Sequence, residues 1–146
     1  MPEFSSMPNL EELILNDCVS LIDIHPSVGN MKNLTTLSLR RCDKIKDLPD
    51  SIGDLESLEI LNLSNSKFEK FSEKGRNMKS LMELDSNQLC NLQKLNISQS
   101  KMAGQIPVLP SSLKEIDAHH CTSKEDLSGL LWLCHLNWLK STTEVM

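Results

Sequence analysis

Apolar residues recur along this chain in blocks that keep their spacing while the residues between them change. The first block is Leu10, Leu13, Leu15, Cys18, Leu21 and Ile24; the second is Leu34, Leu37, Leu39, Cys42, Ile45 and Leu48, each residue 24 positions on. A third opens in the same register with Leu58, Leu61 and Leu63, then carries Ser66 where the cysteines stood. Its descending side is shorter, because Phe68 and Phe71 come one position early. A fourth block reads Leu92, Leu95, Ile97 and Ser100, and a fifth, 21 residues later, reads Leu113, Ile116, Ala118 and Cys121. Between the third and fourth, "LMELDSNQLC" begins the pattern with Leu81 and Leu84 but puts Ser86 at the next apolar position, which predicts a truncated coil near 81–91. Repetition at such a period predicts stacked coils that bury a continuous core.

Inside each block the side chains alternate. In "LILND" Leu13 and Leu15 point one way and Ile14 and Asn16 the other, the two-residue period of a strand. Stacked in register, these strands predict an α/β solenoid with a parallel sheet on its concave face. The return segments "HPSVGNMKN" and "LPDSIGDLES" share Pro, Ser, a branched apolar residue and Gly, and predict short helical or 3₁₀ turns on the convex face. Five coils at about 4.8 Å per strand give a sheet about 20 Å wide. The series Cys18, Cys42, Ser66, Ser100 and Cys121 falls where the chain leaves each strand, a place for small side chains that hydrogen-bond backbone groups of the adjacent coil.

The solenoid is expected over residues 1–122 and a C-terminal capping helix with a tail over 123–146. In "SKEDLSGLLWLCHLNWLKS", Ser123 is placed as N-cap, Asp126 lies in the first turn and Lys140 in the last. Leu127, Leu130, Leu131, Cys134 and Trp138 share one stripe, and Trp132, Leu133, Leu136 and Leu139 spread the apolar surface around the helix, more than covering one coil requires.

Composition narrows the function classes. With 146 residues and 39% hydrophobic content the chain supports one domain with a core. Its charge of −5 comes from 20 acidic and 15 basic residues that are interspersed, so no nucleic-acid footprint appears. "MPEFSSMPNLEELIL" has no basic run of the secretory kind, and "LSGLLWLCHLNWL", broken by His135 and Asn137, is shorter than the roughly 20 residues of a membrane span. A cytoplasmic chain with no membrane contact is expected, and its five cysteines, which form no CxxC pair, are expected to be reduced.

"MPNLEELILNDCVSLIDIHPSVGNMKNLTTLSLRRCDKIKDLPDSIGDLESLEILNLS" together with "LPSSLKEIDAHHCTS" resembles the leucine-rich-repeat region of plant intracellular immune receptors of the TIR, nucleotide-binding, leucine-rich-repeat type. The resemblance covers nearly the whole chain; its most specific part is the form L-x-x-L-x-L-x-x-C-x-x-L-x-x-L-P around Leu34 to Pro49. It implies a module that recognises pathogen effectors or a guarded host protein, or that contacts the nucleotide-binding domain of the same receptor. The signalling chemistry does not carry over. "GNMKNLT" and "GRNMKSL" lack the second glycine and the Gly-Lys-Ser/Thr ending that cradle phosphate, so no cofactor is expected.

Partner binding is therefore expected on the concave face, whose rows follow from the register. One row is Ile14, Ser38, Asn62, Asn96 and Asp117; the next is Asn16, Arg40, Ser64, Ser98 and His119; beside it run Asp17, Arg41, Asn65, Gln99 and His120. The candidate contact residues are Asn16, Asp17, Ser38, Arg40, Arg41, Asn62, Ser64, Asn96, Ser98, Asp117, His119 and His120. Asp17 and Arg41 are within reach of pairing, and Arg is enriched at binding hot spots. A solvated polar face is the plainer reading of any one of them.

Two other chemistries compete with structural roles for the same residues. "HHC" at 119–121 and "CH" at 134–135 supply zinc-ligand types, but Cys121 belongs to the turn series and Cys134 to the apolar stripe, so no metal is assigned. No G-x-S-x-G motif supports a hydrolase, and no catalytic residue is assigned. "GQIP" at 104–107 resembles plant extracellular leucine-rich-repeat receptors, in which Asn33, Asn62 and Asn96 would be glycan acceptors; it occurs once rather than in each coil. A truncated scaffold without receptor activity is the remaining alternative.

Overall fold

The computed structural model describes residues 4–68, 91–100 and 112–118. Five strands, β1 (Glu12–Ile14), β2 (Thr36–Ser38), β3 (Ile60–Asn62), β4 (Lys94–Asn96) and β5 (Glu115–Asp117), form one sheet in the order β1-β2-β3-β4-β5. Every pairing is parallel, and Leu13, Leu37, Leu61, Leu95 and Ile116 stand directly side by side. This is the register read from the repeat. The ladder extends one step past each strand, where Leu15, Leu39, Leu63 and Ile97 donate their N–H groups to Ser38, Asn62, Asn96 and Asp117 of the next coil at 2.8, 2.8, 2.7 and 2.8 Å.

The inward leucines make one continuous core. Leu34, Leu37, Leu58 and Leu61 are 0% exposed, and Leu39, Leu63, Leu92 and Ile97 are equally enclosed. Phe68 is also buried against this core. That is the aromatic residue displaced by one position in the third block.

The convex side is a stack of 3₁₀ turns, Phe4–Ser6, Pro26–Asn30 and Asp50–Asp54, each packed on the next. Their exits repeat the same bond: Met7, Met31 and Leu55 donate to the carbonyls of Phe4, Val28 and Ile52 at 3.0, 3.0 and 3.2 Å. Residues 4–10 are thus a further convex segment in register, with Phe4 in the position of Val28. The apolar blocks had not revealed it, because the two positions that mark that side, Val28 and Met31 or Ile52 and Leu55, are held there by Phe4 and Met7. Gly29 and Ser51 meet between two of these turns, and a Cβ at Gly29 would lie 2.6 Å from the Ser51 carbonyl oxygen.

The two return segments match less closely than their composition predicts. Ser27, Val28 and Gly29 align with Ser51, Ile52 and Gly53, but the prolines are offset by one. Pro26 opens its turn, and His25 caps it by accepting the Ser27 N–H at Nδ1, 3.1 Å away. Pro49 occupies the cap position of the next turn and has no side chain able to accept such a bond. Ser27 Oγ also accepts the Phe4 N–H at 2.9 Å, whereas the buried Ser51 Oγ has no hydrogen-bond partner among the described residues. An unpartnered buried hydroxyl costs about 1–3 kcal/mol, so Ser51→Ala is expected to raise stability by about 1 kcal/mol, read as a higher urea midpoint. An unchanged or lower midpoint would show that the hydroxyl is satisfied.

The turn series does what its position requires. The Cys42 thiol donates to Leu15 O at 3.0 Å in the preceding coil, and Ser100 Oγ donates to Leu63 O at 2.8 Å in the same manner. Ser66 uses the Leu63 carbonyl as well, from within its own coil, at 2.6 Å. Burial pushes the Cys42 thiol above its ordinary pKa, outweighing a lowering contribution from a backbone hydrogen bond. The donated proton therefore stays in place at neutral pH, and the stabilisation is lost only as alkaline pH rises through the folded value.

The truncated coil near 81–91 and the capping helix over 123–146 lie outside the described residues, apart from Asn91. Among the described residues no helix is long and apolar enough to cross a membrane.

Candidate functional site on the concave wall

A three-residue strand with its middle side chain turned inward presents its first and third side chains to the concave side. The third-residue row is the predicted one: Ile14, Ser38, Asn62, Asn96 and Asp117 are paired in sequence across the sheet. The first-residue row, Glu12, Thr36, Ile60, Lys94 and Glu115, shares that wall and was missed. The signal was present, because residues two apart on a strand face the same way. Lys94 and Glu115 in this row form an ion pair at 3.1 Å.

The remaining candidates are not on the sheet. Residues 16–17, 40–41, 64–65 and 98–99 lie in the turns that follow the strands, and Asp17, Arg41, Asn65 and Gln99 adopt positive φ of 61, 58, 54 and 55°. The left-handed residue reverses the chain direction and releases it toward the convex side. Asn16, Asp17, Arg40 and Arg41 are exposed on these turns. Arg41 Nη1 lies 3.4 Å from Asp17 Oδ1, confirming the pair read from the register; with both side chains more than half exposed, it adds little stability.

The expectation that Ser38, Ser64 and Ser98 offer themselves to a partner does not hold in the geometry: they are 6, 4 and 9% exposed. They are short buried side chains, and those of Ser38 and Ser98 bond to asparagines that hold the turns. Ser38 Oγ donates to Asn16 Oδ1 at 2.6 Å, and the same oxygen accepts the Arg40 N–H at 3.1 Å. Asn96 Oδ1 accepts from the N–H and the hydroxyl of Ser98 at 3.0 and 2.8 Å. Asn62 Oδ1 accepts the Ser64 N–H at 3.0 Å. The Asn62 and Asn96 bonds are Asx turns, in which a side chain fixes the backbone two residues on, whereas the Asn16 bonds tie one coil to the next.

Half-buried Asn62, Asn96 and Asp117 therefore support the wall as well as facing it. Asn96 Nδ2 points to Asp117 Oδ2 at 3.5 Å. His119 and His120, like the zinc-ligand types at 121, 134 and 135, lie outside the described residues.

The charge along the wall and its turns is acidic at both ends and basic between, with an uncharged strand at the centre. Acidic Glu12 and Asp17 sit at one side, Arg40 and Arg41 come next, β3 contributes uncharged Ile60 and Asn62, then Lys94 precedes Glu115 and Asp117. Among the described residues Arg40 makes no ion pair, although its backbone is held by Asn16. Such a surface suits polar and charged contacts with another macromolecule.

A solenoid of parallel strands, inward leucines and short convex turns defines a leucine-rich-repeat domain, a recognition scaffold. The chain belongs to the leucine-rich-repeat family described as Zer-1-like, leucine-rich repeats, whose sequence model matches residues 2–139. Among curated proteins it is similar to the disease resistance proteins RPV1 and RUN1 of Vitis rotundifolia, with 86% identity over 37 residues and 88% over 33. These stretches cover 25% and 23% of the chain and 3% and 2% of the relatives. The disease resistance-like protein DSC1 of Arabidopsis thaliana is 42% identical over 57 residues, 39% of the chain and 5% of that protein. The chain thus spans a small fraction of the length of its curated relatives. A leucine-rich-repeat protein of Leptospira interrogans shares the fold at a TM-score of 0.53 and 23% identity, over 71% of this chain and 24% of that one.

Proposed function

We propose that this domain is the protein-recognition part of a plant disease-resistance receptor, binding a pathogen effector, a guarded host protein or the receptor's own nucleotide-binding domain through its concave wall and adjoining turns, in the cytoplasm. Similarity to disease resistance proteins supports the setting. The observation that carries the site is the pair of exposed arginines on a turn whose backbone is already fixed by Asn16 and Ser38. Side chains on a prepaid scaffold lose little entropy on binding.

The test uses the chain as bait in pathogen-challenged tissue, followed by affinity measurement with the purified partner. Replacing Arg40 and Arg41 together by Ala is expected to leave the melting transition unchanged and to weaken binding by about tenfold or more, a loss of about 1.4 kcal/mol. Undiminished affinity for a partner captured by the unaltered chain would reject the assignment of the site. The extracellular alternative gains no support from the wall: Asn62 and Asn96 use their side chains to hold turns.

A further inference from the structure

Two cysteines stand one above the other where the chain leaves the sheet. The parallel ladder does not stop with the strands: Leu15 N–H bonds Ser38 O and Asp17 N–H bonds Arg40 O, each at 2.8 Å, so the first two coils stay in register through the turn. Asp17 and Arg41 share the left-handed conformation, at φ of 61 and 58°. Beyond them both coils close alike, with Leu21 and Ile45 donating to the carbonyls of Cys18 and Cys42 at 3.0 and 3.2 Å. Cys18 and Cys42 therefore hold equivalent places in adjacent coils, with their Cα atoms one strand spacing apart, roughly 4.8 Å. That lies inside the range of about 4.4–6.8 Å that a disulfide spans.

The sulfur of Cys42 is already turned toward the first coil. Its thiol donates to Leu15 O at 3.0 Å, and the backbone of Cys18 hydrogen-bonds that same sulfur. The next two places in the series are serines, Ser66 and Ser100, so among the described residues this is the one pair of thiols stacked in adjacent coils. Cys18 is half-buried, whereas Cys42 is 0% exposed. A small oxidant entering from solvent therefore meets Cys18 first, with Cys42 directly behind it.

We propose that Cys18 and Cys42 form a reversible disulfide between the two coils, closed by hydrogen peroxide and opened by a small thiol. The Cys18 thiolate attacks one peroxide oxygen, the O–O bond breaks, and the leaving hydroxide takes up the thiol proton as water, which leaves Cys18 as a sulfenic acid. Cys42 sulfur then attacks Cys18 sulfur; the S–O bond breaks, and the Cys42 proton leaves with the hydroxide as a second water. Two thiols have lost two electrons to one peroxide. In register the two β-carbons also stand about 4.8 Å apart, wider than the 3.8 Å or so of a relaxed disulfide. Closing the bond thus draws the turns together, and it takes the thiol donor away from Leu15 O. Both effects favour re-reduction, the mark of a regulatory disulfide and not of a structural one. In a reducing compartment the pair rests as two thiols. The bond would tie the turn bearing Asn16 and Asp17 to the turn bearing Arg40 and Arg41, whatever partner the wall binds.

Peptide mapping reads the pair directly, because cleavage after lysine leaves Cys18 alone in residues 1–32 and Cys42 alone in residues 33–44. Treating the folded chain with hydrogen peroxide and digesting it without reductant is expected to give these two peptides joined. The undigested product is expected to run as a monomer on a non-reducing gel, and dithiothreitol is expected to part the peptides. Absence of the joined peptides, with Cys42 recovered as a free thiol, overturns the proposal, as does a bond from Cys18 to Cys90, Cys121, Cys134 or a second chain. Cys42→Ser keeps a hydroxyl able to donate to Leu15 O, as Ser100 does to Leu63 O at 2.8 Å, so its fold is expected to hold. In that variant the sulfenic acid has no resolving thiol, and dimedone is expected to label Cys18 after peroxide treatment. The unaltered chain is expected to lose that label, since Cys42 consumes the sulfenic acid first. Equal labelling of Cys18 in the two proteins overturns the proposal.

Discussion

Leu37→Asp is expected to leave the chain without a cooperative unfolding transition at room temperature. Leu37 is 0% exposed and sits between Leu13 and Leu61 on an interior strand of the sheet. Removing a buried leucine side chain costs about 2–5 kcal/mol. Placing an unpaired carboxylate there adds several kcal/mol, even after its pKa rises to neutralise it. Together these reach the whole stability of a small domain, roughly 5–15 kcal/mol. Two controls separate this mechanism from a general intolerance of change. Leu37→Met, which nearly conserves volume, should cost less than about 1.5 kcal/mol. Ile22→Asp, at a site 69% exposed, should shift stability by about 0.5 kcal/mol at most. Circular dichroism with urea titration checks all three, and a normal transition for Leu37→Asp would show that the periodic leucines do not form the core.

Gly29→Ala is the second large effect and acts on the other side of the coil. The glycine is buried where two 3₁₀ turns stack, and the added methyl carbon would lie 2.6 Å from Ser51 O and 2.7 Å from Ser51 Cβ. Both obstacles are tied to backbone, so relief requires the two coils to separate locally. Overpacking of this kind costs about 1–3 kcal/mol. Ser51→Gly removes the Cβ contact but leaves the carbonyl oxygen, so combining it with Gly29→Ala should recover only part of the loss. A double-mutant cycle measured by chemical denaturation tests this, since touching residues are not additive. Full recovery would mean that the side chain alone limits the approach, and no loss at all in Gly29→Ala would mean that the coils are not this close.

The leucine lattice was legible because an inward residue has the same neighbours in every coil, so selection for volume repeats with the chain. Register, parallel pairing and the third-residue row followed from it. The details at the turns did not follow, because they depend on which atoms face across the gap between coils. Ser38, Ser64 and Ser98 look like surface residues in a sequence, yet all three are buried, with the Ser38 hydroxyl bonded to Asn16 of the preceding coil and the Ser98 hydroxyl to Asn96 of its own strand. The one-residue offset between Pro26 and Pro49 hid the capping role of His25. The first-residue row from Glu12 to Glu115 was available from the strand period and was overlooked in favour of residues past the strand. Arg40 and Arg41 remain exposed where the candidate site placed them, on a turn instead of on the sheet.

The left-handed residue in each turn also limits the vocabulary from which this surface can be written. Asp17, Arg41, Asn65 and Gln99 sit where a branched β-carbon would collide with its own main chain. Valine, isoleucine and threonine are thereby screened out of this lane of the turns by torsion alone. Diversification there is confined to glycine, to asparagine and aspartate, and to flexible unbranched side chains, so novelty in that lane must come from charge and reach more than from shape.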